Sequence, residues 1–399
     1  MQPLNPMTFT ADGSKFIWQS RSDGYNHLYL FETNGKPVKQ LTKGNWEVTS
    51  YLGLNPSNTK AIYISTAEKA IDRDIYSVEL SSGKITRISK GEGVHKAMVS
   101  PTGKYVIDEY SGPKVPRVIQ INTQEGKVVK ELLRSKNPLN EMSPVDVSIF
   151  TIKNEKGTEL YCRMIKPANM DPGRTYPAVV YVYGGPNIQL ITNNWTGGSD
   201  LWPFYMAQRG FIVFTLDNRG SANRGKEFEQ ATFRQLGVVE REDQLAGIKF
   251  LLNEKYIDRN RIGIYGWSYG GFMSASLMTR NPGIFRAAVA GGPVIDWRLY
   301  EIMYTERYMD TPQENNQGYF ESSLLNYVSG LKGKMLMIHG TSDNVVLWQH
   351  TLLYLREAVR KNVQVDYFVY PGHEHNVRGK DRIHLLTKIS DYFFDYLGR

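Results

Sequence analysis

Three stretches in the first part of the chain repeat one another at a fixed spacing. "FTADGSKFIW" (9–18), "LNPSNTKAIY" (54–63) and "VSPTGKYVID" (99–108) each run from an apolar residue through a polar turn and a lysine into a β-rich run. The corresponding turn positions Asp12, Ser57 and Thr102 fall 45 residues apart. Each unit is followed by a second strand–turn–strand pattern, with Asn34-Gly35, Ser82-Gly83 and Glu125-Gly126 at the turns. Four short strands in a period of roughly 45 residues predict β-propeller blades. A closed propeller needs about 4 to 8 blades, and the repeats account for three. The expectation is therefore a partial propeller over residues 1–138, read as a piece of a longer protein.

From about Ser143 the pattern changes. "YPAVVYVYGGP" (176–186), "FIVFTLDNRGS" (211–221), "RIGIYGWS" (261–268), "KMLMIHGTSD" (334–343) and "VQVDYFVYPG" (363–372) are continuous apolar runs, with another at Ala287 to Ala290. Helical stretches separate them, at 243–253, 273–280 and 347–360. Apolar strands alternating with helices predict a mostly parallel, doubly wound sheet over residues 139–399. Its working residues are expected beyond the carboxyl ends of the strands.

Composition narrows the function classes. The 399 residues are 41% hydrophobic and 22% charged, an ordinary globular mixture. The net charge of +8 is carried by scattered lysines and arginines with no stripe or tail, so nucleic-acid binding is not expected. No apolar run is long enough to span a bilayer, and "MQPLNPMTFT" lacks the basic-then-apolar order of a signal peptide. The one cysteine, Cys162, excludes an internal disulfide and reads as an inert, half-buried strand residue.

Chemistry enters with "GWSYG" at 266–270, a G-x-S-x-G pattern between a strand and a helix. A serine on such an elbow is exposed as a nucleophile, provided that its neighbours leave room, and Gly266, Gly270 and Gly271 do so. Serine needs a base and the base an orienting acid. On a sheet of this kind the order is Ser, then Asp or Glu, then His. Asp343 follows one strand and the loop "PGHEHN" (371–376) follows the next, so the triad reads Ser268, Asp343 and His375. Spacing alone does not choose between His373 and His375. His339, at the end of a buried strand, reads as structural. No helical H-E-x-x-H is present, and neither a metal nor a cofactor is expected.

One oxyanion donor follows from the elbow, the Tyr269 N–H. The second is expected from "VYGGP": the Tyr183 phenol or an N–H of Gly184 or Gly185. Trp297, Tyr300 and Tyr304 recur at helical spacing, either as core packing or, with Tyr269 and Val294, as an apolar slot. Glu301 could meet a substrate ammonium there, or pair with Arg298 or Arg307.

"VYGGPNIQ", "DNRGS", "LGVVEREDQ", "GWSYGGFM", "PVIDWRLYEIMYTERYMD" and "HGTSDNVV" resemble the prolyl oligopeptidase family in its dipeptidyl peptidase IV branch. The resemblance covers about residues 140–399; the propeller matches by pattern. It implies an α/β-hydrolase peptidase domain and no cofactor. It also implies His375 as catalytic base, Tyr183 as oxyanion donor, and Val294, Trp297, Tyr300, Tyr304 and Tyr269 as the proline-accepting pocket; Val346 is expected among the substrate-binding residues. The branch carries Asp-Asn-Val after its catalytic aspartate, where the asparagine holds a substrate carbonyl; here Val345 stands in that place. Several stretches look more like prolyl tripeptidyl aminopeptidases, in which a glutamate at the Glu301 position is implied to bind the substrate amino terminus. The expected function is a serine exopeptidase releasing N-terminal tripeptides ending in proline. Dipeptide release is the alternative, and an inert propeller–hydrolase scaffold is the reading of another class. Expected partners are peptides with proline near a free N-terminus, with a homodimer possible. The resemblance suggests a periplasmic or secreted protein.

Overall fold

The structure is a computed structural model, and it describes residues 7–398. The chain forms two compact units. The first comprises the residues up to Met142 together with Ile191–Ser199 and Ala222–Glu229; the second comprises Ser143–Leu190, Asp200–Ser221 and Gln230 onward.

The first unit contains three four-stranded antiparallel sheets, each a meander whose strands pair in sequence order. They are β1 (Thr8–Phe9), β2 (Lys15–Ser20), β3 (His27–Glu32) and β4 (Pro37–Gln40); β5 (Val48–Leu54), β6 (Lys60–Ser65), β7 (Asp74–Glu79) and β8 (Ile85–Arg87); and β9 (Val94–Val99), β10 (Tyr105–Gly112), β11 (Val115–Thr123) and β12 (Val128–Arg134). These are the propeller blades that the repeat predicts. The first turn of each blade needs a left-handed residue, supplied by Gly13 (φ 67°), Asn58 (φ 51°) and Gly103 (φ 66°); asparagine tolerates this conformation better than most side chains. Neighbouring blades bury their faces against each other. Ile17, Leu28 and Leu30 pack with Ala61, Tyr63 and Val78 between the first two, and Ile62, Ile64 and Ile75 pack with Val106 between the second and third. The two later segments belong to this unit through specific bonds. Asn193 Nδ2 donates to Asp72 (2.7 Å) and Glu92 (3.0 Å), and Glu229 pairs with Arg21 at 2.8 Å.

The second unit is built on one eight-stranded sheet in the order β13-β14-β16-β15-β17-β18-β19-β20. Its strands are β13 (Val145–Lys153), β14 (Glu159–Pro167), β15 (Tyr176–Tyr181), β16 (Ile212–Leu216), β17 (Ile257–Trp267), β18 (Ala287–Gly291), β19 (Lys334–Gly340) and β20 (Asp366–Tyr370). From β16 through β20 all neighbours are parallel, while β13 and β14 join antiparallel at one edge. The helices of this unit are α1 (Trp202–Gln208), α3 (Val239–Asn253), α4 (Tyr269–Arg280), α5 (Ile302–Met309), α6 (Asn316–Ser322), α7 (Gln349–Arg360) and α8 (Asp381–Leu397), while α2 (Lys226–Gln230) begins in the Ala222–Glu229 segment of the first unit. This is the α/β-hydrolase arrangement, with two strands more than the apolar runs disclose.

The extra strands correct the reading of Cys162. Because β14 lies between β13 and β16, Cys162 is fully buried rather than half-buried, and burial pushes its thiol pKa up. The strand still reads as alternating because its neighbours carry tyrosine and arginine, and Arg163 is buried too.

Close packing of helix on sheet positions everything above it. Under β17, a Cβ on Gly263 would come within 2.7 Å of Phe393 and Leu397 of α8. Phe393 lies in an apolar cluster with Val179, Val213, Tyr265, Val289 and Leu336. Phe393→Ala should therefore lower stability by about 3–5 kcal/mol, read as a fall in the urea midpoint of the second unit's transition.

Candidate active site

Ser268 ends β17 and begins α4, with φ 62° and ψ −119°. That backbone region is costly for any residue with a side chain and persists only where the surroundings impose it. The surroundings here are main chain. A Cβ on Gly266 or Gly270 would collide with the Val182 carbonyl, and one on Gly271 with the Gly291 carbonyl. The Ser268 N–H donates to Gly291 O at 2.8 Å, tying the elbow to β18. No side chain caps α4, so its first N–H groups, beginning with Tyr269, stay available.

His375 and Asp343 arrive from the ends of the sheet's far strands. His375 Nδ1 bonds Asp343 Oδ2 at 2.7 Å, and the His375 carbonyl accepts the Trp267 indole N–H at 2.8 Å. The other carboxylate oxygen accepts the N–H groups of Val345 and Val346, each at 2.9 Å. Burial favours the neutral acid at Asp343, but bonds from His339 and His375 and the Val345 N–H outweigh it and hold the carboxyl well below its usual range. Ser268, His375, Tyr183, Tyr300 and Val345 line one cavity of about 460 Å³. His373 instead bonds Asp381 at 2.8 Å on the surface.

Tyr183 keeps its proton, since burial pushes its pKa up. Its loop is held by residues of "DNRGS" and "EREDQ": Asn218 Nδ2 donates to Gly184 O at 3.0 Å, and Gln244 Nε2 to Asn218 Oδ1 at 2.9 Å. Arg219 is fixed by Asp243 at 2.8 Å.

The aromatic stripe is not one helix, contrary to its spacing. Asp296 accepts the Arg298 N–H and starts a 3₁₀ turn over Trp297–Leu299. The chain then extends through Tyr300 (ψ 165°) and Glu301 (ψ 136°) before α5 begins. The break lets the rings pack on one another. Trp297 stacks on Tyr304 at 5.9 Å and meets Tyr269 at 5.3 Å and Tyr300 at 5.5 Å. Val294 and Trp297 are buried. Val346 is buried as well and contributes its backbone to Asp343, whereas Val345, 45% exposed, faces the cavity. Glu301 is exposed and has no salt bridge among the described residues; Arg298 is spent on Asp296 at 2.5 Å. Burial and the Glu301 charge push the Tyr300 hydroxyl up to about 12. Among the described residues no cluster of His, Cys, Asp and Glu could hold a metal ion, and no helix is long and apolar enough to cross a membrane.

Glu240, His339 and His350 support the site from buried positions. Glu240 is fully buried and accepts the Tyr269 hydroxyl. His339, also buried, donates toward Val346 O at 2.7 Å and lies 3.3 Å from Asp343, with Thr351 at 2.8 Å on its other nitrogen. His350 Nδ1 accepts the Ile295 N–H at 3.1 Å, beside Val294. The signal available in sequence for this pair was the Gln-His-Thr start of α7, which places two polar residues where a core helix turn begins.

Burial, and then the neighbouring His339, lower the His350 pKa to about 4. The unfolded chain therefore takes up this proton near pH 6.5 while the folded chain does not, so stability falls as the pH drops from about 6.5 to 4. His350→Asn, whose amide oxygen can still accept from Ile295, should remove much of that loss. The check is the difference in urea midpoint between pH 7 and pH 4.5, which should shrink in the variant.

The sequence profile of the prolyl oligopeptidase family matches residues 199–399, and that of the dipeptidyl peptidase IV N-terminal region matches residues 1–117. Human dipeptidyl peptidase 8 is 32% identical over 94% of this chain and 47% of its own length. Dipeptidyl peptidase 4 of Trichophyton equinum is 32% identical over 90% of this chain and 48% of its own. A structure assigned as a dipeptidyl aminopeptidase IV from Bacteroides ovatus superposes with a TM-score of 0.94 at 44% identity, covering 98% of this chain and 59% of that one. Porphyromonas gingivalis dipeptidyl peptidase 4 superposes at 0.91 with 35% identity, covering 98% and 56%. The chain spans about half the length of the curated relatives it matches. It belongs to the prolyl oligopeptidase family, in its dipeptidyl peptidase IV branch.

Proposed function

We infer that this chain carries the catalytic machinery of a serine exopeptidase that cuts after proline near the free amino terminus of a peptide. The observation that carries the reading is the Asp343–His375 pair at 2.7 Å on the cavity that Ser268 enters from its strained elbow. Ser268 Oγ attacks the carbonyl carbon of the proline, and His375 Nε2 takes the hydroxyl proton while Asp343 holds Nδ1. Negative charge on the tetrahedral oxygen goes to the Tyr183 hydroxyl and the Tyr269 N–H. His375 then gives its proton to the leaving amine, the acyl-enzyme remains on Ser268, and water hydrolyses it by the same route in reverse. The ring of Tyr269, with Trp297, Tyr300, Tyr304 and Val294, walls the slot. A proline ring suits it, being compact and apolar with no N–H to satisfy.

The names of the similar proteins favour release of dipeptides. Release of tripeptides is the second reading, and one observation favours it: Glu301 stands exposed at the edge of the aromatic cage without a cationic partner among the described residues. An unpaired carboxylate there would suit a substrate ammonium one residue further out. Glycyl-prolyl and alanyl-alanyl-prolyl chromogenic amides distinguish the two. Faster turnover of the glycyl-prolyl amide supports dipeptide release. Faster turnover of the tripeptide amide, with KM raised roughly tenfold by Glu301→Gln, supports the second reading.

A fluorophosphonate should label wild-type protein covalently and leave Ser268→Ala unlabelled. Labelling that survives in Ser268→Ala, or never occurs, would mean that the elbow serine is not a nucleophile and would favour a binding scaffold. Asp343→Asn should slow labelling by about 10⁴-fold, because His375 then loses the partner that sets its tautomer.

A further inference from the structure

The cavity that Ser268 and His375 share extends to residues that the mechanism above does not use. The space is already formed, and at about 460 Å³ it falls in the size range of small-ligand sites. Its further walls are Tyr181 of β15, Tyr265 of β17, Trp202 of α1 and Leu385 of α8, with Asp200 and Arg382 on the same lining. Tyr269, Trp297, Tyr304 and Val294 lie outside that lining, so the open space and the aromatic cluster are different places.

This part of the cavity has an apolar body and several unused donors. The rings of Tyr181 and Tyr265 lie 5.6 Å apart on paired strand ends. Neither hydroxyl has a hydrogen-bond partner among the described residues, and burial pushes both pKa values up, so each keeps its proton to donate. The two indoles nearby are already occupied: Trp202 Nε1 donates to Ser390 at 3.0 Å and Trp267 Nε1 to the His375 carbonyl at 2.8 Å. Arg382, in the first turn of α8, makes one polar contact among the described residues, a 3.5 Å approach to Asp200, and both side chains are half-exposed. A pair that long and that well hydrated holds the guanidinium loosely. One oxygen of Asp200 also accepts the Trp202 N–H at 3.3 Å. Unused donors therefore outnumber the acceptors, and one of the donors is a cation.

We propose that this part of the cavity receives the residue that follows the cleaved bond, and that Arg382, with the Tyr181 and Tyr265 hydroxyls, selects a glutamate side chain there. This rests on the peptidase reading. His375 must hand its proton to the departing amine, so the departing chain lies on the histidine side of Ser268, where His375, Asn376 and Val377 wall the cavity. Glutamate matches the lining. Its methylenes can lie against Trp202 and Leu385 while its carboxylate accepts from one cation and two neutral donors. Asp200 works against it, because two carboxylates then share one guanidinium. Glutamine keeps the shape and loses the charge. Lysine meets Asp200 but sets its ammonium beside a guanidinium and two donors.

The test uses the full chain and two peptide series, glycyl-prolyl-X-alanine amide and alanyl-alanyl-prolyl-X-alanine amide, with X glutamate, glutamine or lysine. The terminal amide removes a competing carboxylate. In whichever series is cleaved, kcat/KM should be roughly fivefold higher for glutamate than for glutamine, with lysine slowest. Arg382→Gln should bring the glutamate-to-glutamine ratio close to one. Asp200→Asn, which keeps an acceptor for the Trp202 N–H, should raise it. A ratio cancels any general loss of activity, so a merely structural role for Arg382 leaves it unmoved. Calorimetric titration of Ser268→Ala with the same peptides, with and without Arg382→Gln, scores the subsite apart from the chemistry. Cleavage after proline with a wild-type ratio of one or less, a ratio that Arg382→Gln does not lower, or a preference for lysine overturns this inference alone. Glutamate-selective, Arg382-dependent binding without any cleavage by wild type sinks the peptidase reading alone. Neither cleavage nor selective binding sinks both.

Discussion

The second unit is organised around a single backbone requirement, the left-handed conformation of Ser268. A serine with φ 62° and ψ −119° is unfavourable by itself, and it is held by main-chain atoms on both sides. Val182 O closes on Gly266 and Gly270 from β15, and Gly291 O closes on Gly271 while accepting the Ser268 N–H from β18. Both neighbours must therefore lie in register with β17. That register depends on α8 seating Phe393 and Leu397 against Gly263 beneath the sheet. The glycines are spaced by the closeness of three strands and a helix, and the exposure of the hydroxyl is a consequence.

The same crowding sets the electrostatics. Asp343 stays ionised although buried, because its two oxygens collect backbone N–H groups from its own turn and imidazole contacts from two histidines. Glu240, buried in α3 against Tyr269 of the elbow's helix, has only neutral donors and rises toward neutrality instead. Two buried carboxyl groups are thus pushed in opposite directions: at Asp343 the bonds and the His375 charge outweigh burial, and at Glu240 burial outweighs the bonds. His339 and His350 extend the logic. Adjacent residues at the start of α7, His350 and Thr351, hold the segment that carries Val294 and the histidine beside Asp343, so one helix end supports the aromatic cluster and the Asp343–His375 pair together.

Much of this was legible in the chain itself. The 45-residue repeat announced three blades, and three four-stranded meanders are present. The G-x-S-x-G elbow, the order of serine, aspartate and histidine, and the apolar runs located Ser268, Asp343 and His375 at the ends of their strands. Choosing His375 over His373 took the family resemblance, and the geometry accords with it: only His375 meets Asp343. The edge strands β13 and β14 were harder to see, because tyrosine and arginine within a buried antiparallel strand imitate a half-exposed one. Helical spacing misdescribed Trp297 to Tyr304, because an Asp296-capped turn and two extended residues interrupt the helix without any glycine or proline to mark the break.

What the sequence determined by itself was local and periodic: blades from a repeat, a parallel sheet from apolar runs, and a serine elbow from the strand–turn–helix context of five residues. Each of these follows from short-range backbone geometry or from hydrophobic periodicity, and both are written along the chain. What only the tertiary structure decided was which polar groups share a buried space. Glu240 meeting Tyr269, His350 meeting Ile295, and Val345 rather than Val346 facing the cavity all join residues through folding or through a turn's exact pitch. Burial and the count of hydrogen-bond donors fix how such groups behave, and neither exists until the chain has packed.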